Sequence, residues 1–155
     1  MNKSLASCRR AALVALAALA LNGCAVSGAN PRSSLSVSHW SSDIGRPLPA
    51  DTVLVATLKF NVANFEPGEF VIFEQYETRD AKRSRSVNKR EQMSQVAAAS
   101  GETTVTLRLA DALQMPVLRK PLRVRFLLLQ KNADQSGSSV AETETYEIKT
   151  EVPRP

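Results

Sequence analysis

Few residues of the 155-residue chain have the types and spacing that catalysis or metal binding requires. His39 is the only histidine, so no second histidine can share a metal ion with it. We expect His39 to lie partly buried at the end of a strand, and Trp40, the only tryptophan, to pack in or beside the core. None of the serines stands in a Gly-x-Ser-x-Gly turn, and no glycine-rich phosphate loop is present. The sequence therefore predicts no cofactor, and it disfavours an enzyme.

Acidic residues near the end of the chain are a second group of candidate metal ligands. Glu142, Glu144 and Glu147 follow Asp134, and Ca²⁺ prefers such oxygen donors. However, they lack the looped Asp-x-Asp-x-Asp spacing, and a strand would place alternate side chains on opposite faces. We therefore predict no metal site.

The strongest charge feature is a basic cluster between positions 79 and 90, where Asp80 is the only acid. Its members are Arg79, Lys82, Arg83, Arg85, Lys89 and Arg90. Several cations raise the local concentration of anions, so the cluster is a candidate contact for lipopolysaccharide phosphates, anionic headgroups, peptidoglycan carboxylates or an acidic partner protein. No aromatic residues interleave for base stacking, which argues against nucleic acid. The alternative is a solvated surface loop.

The first 23 residues have the pattern of a signal peptide. Lys3, Arg9 and Arg10 precede an apolar run of eleven residues, 11–21, and no acid occurs before Cys24. Such a run spans about half of a ~30 Å hydrocarbon core, so it predicts a cleaved segment and not a transmembrane helix. Its removal leaves 17 basic and 15 acidic residues, and the sequence pI of about 9.6 therefore overstates any attraction to nucleic acid or anionic lipid.

The run ends in Leu21-Asn22-Gly23-Cys24, which resembles the lipobox of bacterial lipoproteins, although the family more often has Ala, Ser or Thr in place of Asn22. The resemblance implies cleavage before Cys24 and attachment of diacylglycerol to its sulfur, with palmitate-like acyl chains holding the protein on a membrane. The alternatives are ordinary cleavage that leaves Cys24 free, or no cleavage. Cys8 lies in the discarded segment, so Cys24 would be the only cysteine of the mature chain.

Ala25 follows the cysteine where many inner-membrane lipoproteins have aspartate. The resemblance therefore implies the outer membrane, with the protein facing the periplasm. Each buried methylene of the acyl chains adds about 0.8 kcal/mol, so two or three chains give lasting attachment.

The mature chain is predicted to be a flexible tether, 24–34, followed by one domain, 35–155. Apolar residues of the domain recur at every second position, which is typical of strands with one buried face. Six strands are predicted near 35–39, 54–62, 70–73, 105–109, 122–128 and 140–152. We expect the second and third to form a hairpin through a type II turn at Pro67 and Gly68. Residues 79–101 break the pattern and predict a short helix or a long loop between sheets.

These elements predict a mostly β fold, a small antiparallel β-sandwich of the immunoglobulin-like or transthyretin-like kind with one helical or looped excursion. Without a convergent catalytic set, the favoured function is a non-catalytic binding or scaffolding module of the cell envelope, with an envelope protein or anionic component as partner. One alternative is an assembly lipoprotein, because the outline of lipobox, tether and sandwich resembles the outer-membrane lipoprotein of type VI secretion systems. Another is an envelope lipid carrier or hydrolase, which would need an enclosed pocket.

Overall fold

The computed structural model describes residues 32–81, 83–88, 92–132 and 136–151. Within these ranges two antiparallel sheets form a small β-sandwich, which confirms the predicted fold class. Nine strands and one helix occur there: β1 (Ser34–Trp40), β2 (Val53–Asn61), β3 (Phe70–Glu77), β4 (Ser84–Arg85), β5 (Ser94–Gln95), β6 (Ser100–Arg108), α1 (Leu109–Gln114), β7 (Leu122–Lys131), β8 (Gly137–Glu142) and β9 (Tyr146–Ile148).

The first sheet has the strand order β1-β2-β6, and the second has the order β4-β3-β7-β8. In the second sheet, β5 also pairs with β3 and β9 also pairs with β7. Alternation along β2 buries Leu54, Ala56, Leu58 and Phe60 between the sheets. Full burial of one leucine stabilises the fold by about 1.5–3 kcal/mol. This alternation therefore fixes which face of the strand meets the core.

Aromatic side chains close the core near the middle of β7. Phe126 is fully buried, and its ring centroid lies 5.8 Å from that of Trp40. Trp40 also packs edge-on against Tyr146, with centroids 5.3 Å apart. Trp40 is half-buried and packs against the core, as expected, whereas His39 is exposed. The expectation of a partly buried histidine is wrong, and a β-bulge between Val37 and His39 accounts for the altered alternation.

The predicted hairpin between the second and third strands is wrong. β2 pairs with β1 and β6, whereas β3 pairs with β7 in the other sheet. The turn itself forms, since Gly68 has a φ of 82°. However, residues 62–69 cross the ~10 Å between the sheets, with Phe65 stacked on Phe70 at 6.0 Å. A turn signal between two apolar runs does not distinguish this crossing from a hairpin.

Two other elements differ from the sequence reading. The long final strand is divided at Thr143, whose hydroxyl accepts a hydrogen bond from the Phe126 N–H and donates one to the Glu144 carbonyl. Leu109 begins the helix α1 and does not extend a strand. The excursion between β3 and β6 is looped in its described part, with the short strands β4 and β5 on it.

The strand directions give the sandwich two distinct ends. β1 and β6 begin at one end, where β2 finishes, and Ser34 pairs there with Asn61 and Asn61 with Ser100. We call this the tether end, because the chain from the N-terminus enters β1 here. The opposite, distal end carries the β1–β2 loop (41–52), the α1 region (109–121) and the last described segment (149–151).

Candidate functional site

No group of three or more metal-ligating His, Cys, Asp or Glu side chains occurs in the described part of the chain. Among the acids considered as calcium ligands, Glu142 pairs with Arg125 and Glu147 pairs with Arg123. Asp134 lies outside the described residues. The same part of the chain contains no helix of the length and apolarity needed to cross a membrane.

An apolar groove of about 670 Å³ opens at the distal end. The apolar walls are formed by Pro47, Ala50, Leu113 and Pro121, and the remaining lining residues are Lys120, Lys149, Thr150 and Glu151. Binding sites for organic ligands are typically about 300–1,000 Å³ and lined mainly by apolar groups. The distal groove therefore has the size and chemistry of a binding surface.

Three chain segments meet to form the distal groove. Leu48 is buried and holds the β1–β2 loop against the last segment, since its N–H donates to the Lys149 carbonyl at 3.0 Å and its carbonyl accepts from the Glu151 N–H at 2.8 Å. At the other end of the β1–β2 loop, the Leu109 N–H donates a hydrogen bond of 3.1 Å to the Thr52 carbonyl. This bond fixes the start of α1 beside the loop. The groove is thus held by main-chain bonds between distant parts of the sequence.

The distal end also carries the exposed large apolar side chains of the described residues. These are Val53, at the start of β2, and Val117, which are 56% and 38% exposed. Neither of them lines the distal groove, and single exposed apolar side chains of this kind are common on protein surfaces.

The basic cluster is only partly described, because Lys82, Lys89 and Arg90 lie outside the described residues. Arg79, Arg83 and Arg85 are exposed, and within the described ranges their side chains make no hydrogen bond or ion pair. The turn is ordered by main-chain bonds: the Arg79 N–H donates to the Val117 carbonyl and the Thr78 N–H to the Arg83 carbonyl. Arg79, Arg83 and Arg85, the described members of the cluster, therefore border the distal end as exposed positive charge.

Sequence reasoning missed an ion-pair ladder on the outer face of the second sheet. It consists of three arginines and three glutamates with N–O distances of 3.1–3.6 Å: Arg119, Arg123, Arg125, Glu77, Glu142 and Glu147. Arg125 also donates two hydrogen bonds to the Gln75 side chain. A polar cavity of about 200 Å³ lies over Arg123 and Arg125. Partly exposed pairs of this kind each contribute only about 0–1 kcal/mol to stability. Because the three positive and three negative charges balance, we assign the ladder a structural role on the sheet and not a role in binding ions.

A buried carboxylate holds the excursion onto the sandwich. Glu74 is 1% exposed on β3. Its Oε1 accepts hydrogen bonds of 2.8 Å from the Ser86 hydroxyl and from the N–H groups of Val87 and Asn88, and its Oε2 accepts one of 3.0 Å from the Asn88 amide. The Asn88 side-chain amide also donates a hydrogen bond to the Thr106 carbonyl on β6. Glu74 thus ties the loop to the second sheet, and Asn88 ties it to the first.

Tyr76 lies beside this carboxylate on the same strand. Burial raises the pKa of its phenol, and the nearby carboxylates of Glu74 and Asp111 raise that pKa further. The phenol therefore stays neutral at physiological pH, and its burial among the core residues assigns Tyr76 to packing.

We expect the described part of the basic cluster to contribute to anion binding. Replacing Arg79, Arg83 and Arg85 by Gln should weaken retention of the full-length protein, in a neutral detergent, on immobilised lipopolysaccharide by at least tenfold. Each basic residue near an anionic surface contributes about 1 kcal/mol, and binding by the parent should fall steeply with salt. The matched control replaces Arg32, Lys59 and Lys131 by Gln, which removes the same charge near the tether end. Equal losses for both variants would show that only net charge matters.

Cys24, the predicted lipidation site, lies outside the described residues. No model of a known protein family matches the chain, and no curated protein matches it either. The described residues form a small two-sheet sandwich with an apolar groove at the end opposite the one where β1 begins.

Proposed function

We propose that this chain is a non-catalytic, lipid-anchored protein of the cell envelope that holds a partner at the distal end of its sandwich. The lipid on Cys24 would attach it to the outer membrane on the periplasmic side. The observation that carries the proposal is the position of the distal groove, on the end opposite the one where β1 begins.

The dimensions of the domain support this arrangement. β2 has nine residues, and at about 3.4 Å per residue it separates the two ends by roughly 30 Å. The tether adds at most ~3.6 Å per residue between Cys24 and β1. A partner in the distal groove would therefore stand clear of the lipid headgroups, while the tether end faces the bilayer.

The core favours a binding module over a lipid carrier. Large side chains between the sheets, including Phe70, Tyr76 and Phe126, are buried and in contact with one core cluster. A carrier for acyl chains needs an enclosed apolar cavity, whereas the distal groove, in the part of the chain that the structure describes, is open at the surface.

Site-specific photo-crosslinking in the protein's own envelope tests the proposal. A photoreactive side chain at Ala50, in the groove, should give a discrete crosslinked species, at least fivefold more than one at Ala63 near the tether end. Replacement of Ala50 by Arg in a chain with the photoreactive group at Pro47 should remove that species, because the long cation fills the groove. The matched variant Ala63→Arg should retain it. Stronger crosslinking from Ala63, or none from either position, would refute the proposal.

A further inference from the structure

We infer that the distal groove binds an amphipathic helix of another protein, with apolar side chains in the groove and acidic side chains at its rim. This inference rests on the proposed function and names the shape and charge of the partner at that site.

The floor of the groove has no free main-chain edge. Thr150 is paired with Leu48 on one side. On the other side, Ile148 pairs with Leu122 at the start of β7, and residues 120–121 continue that line beside Thr150. An extended peptide therefore cannot join this segment as a further strand.

The walls of the groove also lack main-chain partners for a bound chain. Pro47 and Pro121 have no N–H, and the Leu113 carbonyl already accepts a hydrogen bond of 3.0 Å from the Lys120 ammonium. An extended peptide lying there would bury N–H and C=O groups without partners, which is unfavourable. A helix bonds these groups within itself and presents only side chains to the groove. The groove therefore fits a helix better than an extended chain.

The apolar lining suits one face of such a helix. Ala50 and Leu113 are half-buried, Pro47 and Pro121 are exposed, and the groove that they line has a volume of about 670 Å³. Residues three and four positions apart share one face of a helix, and apolar ones at that spacing act as successive anchors in a groove. Side chains from adjacent turns of the partner would thus enter the groove together.

The charge at the rim selects the flanks of the helix. Lys120 and Lys149 are exposed, and Glu151 is the one described acid that lines the groove. Neither lysine makes an ion pair with another described residue. The Arg79 N–H donates to the Val117 carbonyl at 3.0 Å, so the basic cluster lies beside the segment that carries Lys120. Acidic side chains beside the apolar face complement these cations, and basic ones would be repelled.

The edges of the two sheets are covered, interrupted or short. β6 is an uninterrupted edge strand, but its Thr104 and Thr106 carbonyls accept hydrogen bonds of 2.9 and 3.2 Å from the Ser94 hydroxyl and the Asn88 side-chain amide. β1 has a bulge, the register of β8 with β7 shifts, and β4 and β5 have two residues each. Such features protect edges against strand addition. The groove is therefore a better surface for a partner segment than these edges.

Selection from a library of random sixteen-residue peptides displayed on phage tests the inference. The bait is the full-length protein in phosphatidylcholine nanodiscs, with counter-selection on the Ala50→Arg variant. We expect the selected peptides to carry apolar residues at spacings of three and four, with Asp and Glu at flanking positions and few Lys or Arg. Their binding should fall at least tenfold with Ala50→Arg, or with Lys120→Glu combined with Lys149→Glu, and should persist with Ala63→Arg.

The helical form of the bound peptide has its own readout. A covalent link between two side chains four positions apart, on the face away from the groove, fixes a selected peptide as a helix and should keep its binding within threefold or strengthen it. Proline at a central position of that face should lower binding at least tenfold, because it removes a helical hydrogen bond, whereas alanine there should not.

Loss of binding on cross-linking would overturn the inference, and so would selection of basic peptides or of peptides whose apolar residues alternate. Failure to enrich any groove-dependent peptide would also overturn it. Because photo-crosslinking from Ala50 in the envelope does not depend on the form of the partner, a positive result there with a negative selection would reject this inference alone.

Discussion

Replacing Glu74 by alanine is expected to lower the free energy of unfolding by about 3 kcal/mol. The substitution removes an acceptor that takes four hydrogen bonds from Ser86, Val87 and Asn88. Hydrogen bonds to a charged group each contribute about 1.5–3 kcal/mol, but the loop can turn its freed donors to water, so the total loss is limited. Urea unfolding followed by the fluorescence of Trp40, the only tryptophan, measures the change.

Two comparisons make the Glu74 prediction specific. Glu74→Gln keeps one acceptor oxygen and should lose less stability than Glu74→Ala. Glu102→Ala is the control, because Glu102 forms only an exposed ion pair with Lys59 at 3.7 Å and should change stability by less than about 0.5 kcal/mol. Trypsin should also cleave the Glu74→Ala protein faster at Arg83 and Arg85. If Glu74→Ala and Glu102→Ala unfold at the same urea concentration, Glu74 does not hold the loop.

The second large effect is expected at Cys24. Cys24→Ser removes the sulfur to which diacylglycerol would be joined, so incorporation of a clickable palmitate analogue should fall to background. The protein should leave the membrane fraction or accumulate as the uncleaved chain. Cys8→Ser is the matched control, because Cys8 lies in the predicted signal peptide, and it should label like the parent. Persistent labelling of Cys24→Ser would show that the acyl chains are attached elsewhere.

Alternation of apolar residues located most of the sandwich, because a half-buried strand repeats every two residues. β1, β2, β6 and β7 lie where the pattern predicts them. Pairing was harder to predict, since the partner of a strand depends on contacts between distant residues. α1 was missed because six residues are too few to establish a helical period.

The candidate site was the least predictable part. The groove joins Pro47, Ala50, Leu113 and Pro121, and no local pattern links residues so far apart in sequence. A signal for Glu74 was present: it shares the parity of Phe70, Ile72 and Tyr76, which marks an acid on a buried face. An acid at such a position must be satisfied by hydrogen bonds. The partners themselves, on the loop at 86–88, follow only from the folded chain.

The intact mass of the protein purified from membranes tests the central claim most directly, because anchoring through Cys24 decides which end of the sandwich faces a partner. We predict a chain that begins at Cys24 and carries the added mass of a diacylglyceryl group and one further acyl chain, all located on the first residue by fragmentation. A chain that begins at another residue, or one with unmodified Cys24, would contradict the account.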